Sequence, residues 1–192
     1  MKTGPTLPAE PLAARVALHP FLAGMNRTQL VLLTDCAMAV RFQKGETILH
    51  EGGPANRLYL IERGKITLEA KVSSDQSVII ETLGPGDLLG WSCLFPPYVW
   101  HFTARAIEPA EAIFFYGSMV REYCGRDQSL GYELLKRVAG VMIKRLQAAR
   151  EKMLAVRTGK NAALPIVQSP FADHDHHTSS SGNGATKWRN AG

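Results

Sequence analysis

The sequence predicts a mainly β fold of the α+β class, a β-barrel or roll with short helices before it and one long helix after it. Three observations point there. Glycines recur through the middle of the chain, at Gly45, Gly52, Gly53, Gly64, Gly84 and Gly86, with short apolar runs between them. Residues 127–157 contain no proline and repeat their apolar side chains with a helical period. The chain has 192 residues, 45% hydrophobic and 20% charged, enough for one domain with a real core plus some tail.

Taken in order, residues 1–18 read as a lead-in, with Pro5, Pro8 and Pro11 loosening its first part. His19–Gly24 is a short helical turn. A firmer helix starts at Asn26, a favoured N-cap, with Gln29 three residues later as in a capping box. Met25 and Leu30 flank the cap as a hydrophobic staple would. From Ala39 the period changes to two. Residues 57–61 and 77–83 read as strands, and Ile66, Leu68 and Ala70 alternate with Thr67, Glu69 and Lys71 in a third. Arg63-Gly64-Lys65 is a tight turn in which glycine supplies a positive φ. A last strand spans 112–116. Ser118 then caps a short helix ending near Gly125, and Asp127 caps a long one over 127–157, about 46 Å at ~1.5 Å per residue.

The long helix carries a heptad seam: Leu135, Ala139, Met142, Leu146, Ala149 and Met153, continued by Val156. A second apolar row, Leu134, Val138 and Val141, runs beside its first half only. The second row is expected to pack on the β-roll and the seam to meet a partner helix, so that two copies of the chain form a homodimer. The same helix holds seven cations (Lys136, Arg137, Lys144, Arg145, Arg150, Lys152, Arg157) against three acids (Asp127, Glu133, Glu151), close to the whole net charge of +5. Such charges mostly solvate the outside of a coiled coil.

Residues 83–106, LGPGDLLGWSCLFPPYVWHFTARA, resemble the phosphate-binding cassette of the cyclic nucleotide-binding domain family, the sensor module of catabolite-activator-type regulators. Pro85, Gly86 and Asp87 match its first turn, Gly90 its internal glycine, and Thr103–Ala106 its final strand. GETILHEGGPANRLYLIERGKITL resembles the opening hairpins of the family, and the likeness covers roughly residues 20–156. The resemblance implies a jelly-roll β-sandwich and a long C-terminal dimerisation helix. It also implies a ligand pocket formed by Gly90, Trp91, Ser92, Cys93, Leu94, Trp100, His101, Phe102 and Thr103.

The resemblance further implies a cyclic nucleotide as cofactor, and here two positions depart from it. The family's ribose-binding glutamate falls on Trp91 and its phosphate-binding arginine on Trp100. An indole has a donor but no acceptor, and no charge. A charge-assisted hydrogen bond is worth ~1.5–3 kcal/mol, so doing without two of them weakens a micromolar site to about millimolar. His101, aligned with a phosphate-facing Ser/Thr, is a partial substitute when protonated. The favoured reading is that the two indoles fill the emptied pocket and make it core; the alternatives are a different ligand stacked on them, and ordinary cyclic nucleotide binding.

Other classes find less support. Three scattered cysteines make neither a disulfide framework nor a zinc site and point to a reducing cytoplasm. No apolar run is long enough to cross a bilayer. No nucleophile–base or paired-carboxylate motif suggests an enzyme. Residues 158–192 are rich in Gly, Ser, His and Asp and read as a disordered tail, whose His174-Asp175-His176-His177 is not expected to form a metal site. No pair of amphipathic helices follows the long helix, so DNA binding through a helix-turn-helix is not expected. The reading is thus a regulatory sensor. The alternatives are an interaction or scaffold module with a protein partner, and a transcriptional regulator lacking a recognisable helix-turn-helix.

Overall fold

The computed structural model describes residues 10–71 and 77–157. Among the described residues, eight strands form two antiparallel sheets: β1 (Ala37–Phe42), β2 (Thr47–Leu49), β3 (Arg57–Arg63), β4 (Ile66–Lys71), β5 (Ser77–Leu83), β6 (Leu88–Leu89), β7 (Thr103–Ala106) and β8 (Ala110–Tyr116). One sheet runs β1-β8-β3-β6 and the other β2-β7-β4-β5. This is the predicted jelly-roll sandwich. Strand β8, Ala-Glu-Ala-Ile-Phe-Phe-Tyr, pairs on both edges, with β1 and β3. Its consecutive residues Ala112, Ile113, Phe114 and Phe115 are all buried, so both faces of the strand are covered, which is what a near-continuous apolar run suits.

The described residues also form four α-helices: α1 (Leu12–Leu18), α2 (Arg27–Asp35), α3 (Gly117–Arg126) and α4 (Gln128–Arg157). Helix α1 lies within the segment expected to be lead-in. It buries Val16 and is tied to β3 by an Arg15–Glu62 ion pair. The expected capping box at the start of α2 is present: Gln29 N donates to Asn26 Oδ1 (3.0 Å), and Asn26 N to Gln29 Oε1 (3.1 Å). Asp127 caps α4 as expected, accepting from Leu130 N (3.1 Å).

Two local expectations are corrected. Helix α3 starts at Gly117, not after a Ser118 cap, and no side chain caps it. Its first free N–H is met by another loop instead, since Gly117 N donates to Asn56 O (2.8 Å). Thr67, placed outward by alternation, is buried along with Ile66 and Leu68. Its hydroxyl donates to Glu69 Oε1 (3.0 Å), which satisfies it beneath the Arg105 side chain that pairs with Glu69.

His19, in the turn before the 3-10 helix Pro20–Leu22, is buried between α1 and the sheet. Its Nδ1 accepts from Phe21 N (3.2 Å), which leaves Nε2 to donate to Ile61 O (3.1 Å). A second proton on Nδ1 would face an N–H. Burial pushes the His19 pKa down, with the Ile61 carbonyl and the Glu62 carboxylate pulling the other way. The unfolded chain therefore binds a proton here before the folded one does. The stabilisation is complete above the unfolded pKa of about 6.5 and is lost as pH falls through the window below it. The urea midpoint should fall between pH 7 and pH 5, and His19→Gln should flatten that slope. Equal slopes in the two proteins would refute the assignment.

Helix α4 divides along its length. In its first half Leu130, Leu134, Val138 and Val141 are buried in the core. The second apolar row of the sequence thus faces the body of the domain. The seam residues stand outside it: Leu135 is 52% exposed, Leu146 72% and Met153 66%. Several of the helix's cations have partners within the chain. Lys136 and Arg137 pair with Glu133, and Arg145 pairs with Glu81. No described helix is long and apolar enough to cross a membrane. The predicted tail and its histidine cluster lie outside the described residues.

Candidate ligand pocket

The pocket is built outward from a turn. Gly84 N donates to Asp87 Oδ2 (2.8 Å) and Asp87 N to Gly84 O (3.1 Å), closing the Gly-Pro-Gly-Asp turn before β6. Strand β6 pairs with β3 and ends at Gly90, whose φ of +85° lies in the left-handed region. A Cβ there would stand 2.7 Å from Arg57 O, so no other residue fits without movement. The reversal starts a 3-10 turn, Trp91–Leu94, in which Cys93 N donates to Gly90 O (3.2 Å). A loop through the cis Pro96–Pro97 bond returns the chain to Trp100.

Trp100 is buried, and its ring lies against Gly90 and Gly53, 3.2 Å and 3.6 Å from where their Cβ atoms would be. Its backbone is clamped as well: Trp100 N donates to Gly53 O (2.9 Å), and Gly52 N donates to Trp100 O (2.8 Å). At Gly90 the absence of a side chain makes room for the indole, whereas a Cβ at Gly53 would stand in ordinary contact with it. Trp91 is half-buried and packs edge-on to Phe95, with ring centroids 6.2 Å apart.

The indoles leave space. A cavity of about 600 Å³ opens beside them. The cassette supplies one wall, with Gly90, Trp91, Ser92, Trp100, His101 and Phe102. The sheet supplies the floor, with Leu49, Leu68, Leu89 and the β5 residues Ile79–Glu81. Helix α4 supplies the third side, with Met142, Arg145, Leu146, Ala148, Ala149 and Lys152. Most of this lining is hydrocarbon or aromatic.

The charged groups cluster where α4 meets β5. Arg145 Nε pairs with Glu81 Oε2 (3.0 Å), and Arg145 Nη2 donates to Leu88 O (2.8 Å). About two turns later, Lys152 Nζ donates to Ile80 O (2.7 Å). Burial pushes the Glu81 carboxyl above the usual carboxylate range; Arg145 pulls it back and Asp87 adds to the rise.

Of the nine residues proposed from sequence, six line this cavity and three face elsewhere. Cys93 is fully buried against Gly117, its thiol pushed up to about 12 by desolvation, while Arg121 donates to its carbonyl. Leu94 lines a smaller hollow of about 290 Å³ with Phe95, Arg121 and Leu134. Thr103 Oγ1 accepts from Glu51 N (3.2 Å). Arg105 is held by Glu69 (3.5 Å) and by Gly45 O (3.2 Å). Sequence reasoning misses the floor and the polar latch on α4. It treats Arg145 and Lys152 as solvated charge, and their seven-residue spacing on one helix face is the signal that could have found them.

Residues 39–127 match the family model described as Cyclic nucleotide-binding domain. The CRP-like cAMP-activated global transcriptional regulator of Mycobacterium tuberculosis is 24% identical over 130 residues, which make up 68% of this chain and 56% of the regulator. The cAMP-dependent protein kinase regulatory subunit of Dictyostelium discoideum is 33% identical over 72 residues, 36% of this chain and 22% of the subunit. The chain thus spans about half the length of the first relative and less of the second. Among solved structures, a Geobacter metallireducens GS-15 protein assigned to cyclic nucleotide binding superposes with a TM-score of 0.63 at 27% identity, covering 70% of this chain and 97% of that one.

Proposed function

Because residues 39–127 belong to the cyclic nucleotide-binding domain family, we propose that the chain is a regulatory sensor whose ligand enters between the cassette and helix α4. The observation that carries this is the cavity of about 600 Å³, walled by cassette residues on one side and by α4 on the other. A ligand held there touches both, so its occupancy favours whichever arrangement joins them. The exposed seam on α4 supports a homodimer, and three of its residues, Met142, Leu146 and Ala149, also line the cavity. Ligand and partner copy would share that helix face. The regulatory roles of the mycobacterial and slime-mould relatives support the same class, and a cytoplasmic, non-catalytic module is the corresponding assignment.

Cyclic AMP and cyclic GMP should bind only weakly. Trp91 and Trp100 stand where the family's carboxylate and guanidinium are expected, and Arg105, the cation closest in sequence, is held by Glu69. Without those two charge-assisted hydrogen bonds the Kd is expected at about millimolar. Intrinsic tryptophan fluorescence reads this directly, since Trp91 and Trp100 line the pocket. A saturable change near millimolar nucleotide, altered by His101→Ala, is the expected result. Micromolar saturation would show that the two replacements cost little. A flat titration would remove cyclic nucleotides from the candidate ligands.

A further inference from the structure

Resting on the reading of this cavity as a small-molecule site, we propose that its ligand is a monoanion with an apolar body, aromatic or branched hydrocarbon, whose charged group meets Arg145. The body follows from the lining. Leu49, Leu68, Leu89, Met142 and Leu146 offer hydrocarbon, and Trp91 offers an indole. Among the lining side chains, acceptors for hydroxyl groups come only from Glu81, Ser92 and His101, and Glu81 is already engaged by Arg145. A sugar would therefore turn polar atoms onto hydrocarbon, which is unfavourable. A ring or branched chain would not.

The charge follows from the latch. Arg145 and Lys152 against Glu81 leave the lining one positive charge when His101 is neutral, two cations less one carboxylate. A guanidinium carries five N–H donors, and its planar fork suits a carboxylate or sulfonate. Glu81 is the internal competitor for that fork. The largely buried Glu81 carboxylate and an incoming anion cannot both sit on Arg145 without mutual repulsion. Neutralising Glu81 should thus tighten anion binding, whereas a merely structural pair would show no such gain.

The test uses the full chain and two dyes of like shape, anilinonaphthalene sulfonate, which is anionic, and phenylnaphthylamine, which is uncharged. The sulfonate should bind at least about 10-fold tighter than the amine, as a charge-assisted hydrogen bond implies. Glu81→Gln should strengthen sulfonate binding and leave the amine unchanged. The double change Glu81→Gln with Arg145→Gln, which leaves no carboxylate unpaired and keeps the Lys152 charge, should reduce the preference to what Lys152 alone sustains. Ala148→Trp, which fills the cavity, should block both dyes, with circular dichroism melts confirming that each variant folds. If Ala148→Trp blocks both dyes but they bind equally, or the double change leaves the preference undiminished, the anion assignment is overturned and the pocket reading stands. If neither dye binds, or Ala148→Trp changes nothing, the pocket reading falls as well.

Discussion

Replacing Gly90 with alanine should lower the melting temperature by about 4–20 °C and remove any ligand response of the tryptophans. The left-handed backbone costs a non-glycine residue ~1–2 kcal/mol. The added methyl meets Arg57 O at 2.7 Å and the Trp100 ring at 3.2 Å. The first of these is backbone in β3 and cannot yield cheaply, so overpacking adds about 1–3 kcal/mol. At about 2–4 °C per kcal/mol for a domain of this size, the total is large. Gly84→Ala is the control from the preceding turn, because nothing lies within 4 Å of its Cβ position. It should melt close to the unmodified protein. A Gly90→Ala protein as stable as Gly84→Ala would show that the cassette does not turn on this residue.

Leu134→Ala and Leu146→Ala should separate along lines set by α4. Leu134 is buried, and truncating it costs about 2–5 kcal/mol whatever the protein concentration. Leu146 is 72% exposed, and its truncation should change the stability of a single chain by less than about 0.5 kcal/mol. Its effect belongs to association: sedimentation should show a concentration-dependent dimer that Leu146→Ala weakens. A strictly monomeric protein at high concentration would end the dimer reading and leave the seam to another partner. An equal loss of stability in the two variants would mean that the helix is packed differently.

Turn chemistry makes much of the fold legible in the residues alone. Gly64 has the positive φ that its turn implies, and the Asn26–Gln29 box closes as its spacing implies. Such signals are local and survive in a single sequence. The two rows of α4 are separable for the same reason, since helical period assigns faces without knowing what they meet. Contact between distant segments is not legible in this way. Glu81 and Arg145 lie far apart in sequence, and neither residue type nor spacing says that they pair. Thr67 defeats the alternation rule because alternation tells which face a side chain takes, not whether something covers that face. Thr103, Cys93 and Leu94 join the expected pocket only by adjacency in the cassette, and the 3-10 turn after Gly90 rotates the last two away.

The division of α4 makes the domain a rooted lever. Its first turns cannot leave without exposing Leu130, Leu134 and Val138 to water. Beyond Val141 the described ties to the body include two hydrogen bonds to carbonyls, from Arg145 and Lys152, one ion pair, and the cavity lining. Local opening of that tip therefore requires far less free energy than global unfolding, and amide exchange should quicken steadily along the helix. Whatever occupies the cavity adds directly to the small free energy that holds the tip down. On the proposed reading of the cavity as a ligand site, a molecule binding with modest affinity would shift the opening of the tip while hardly changing the melting temperature of the body.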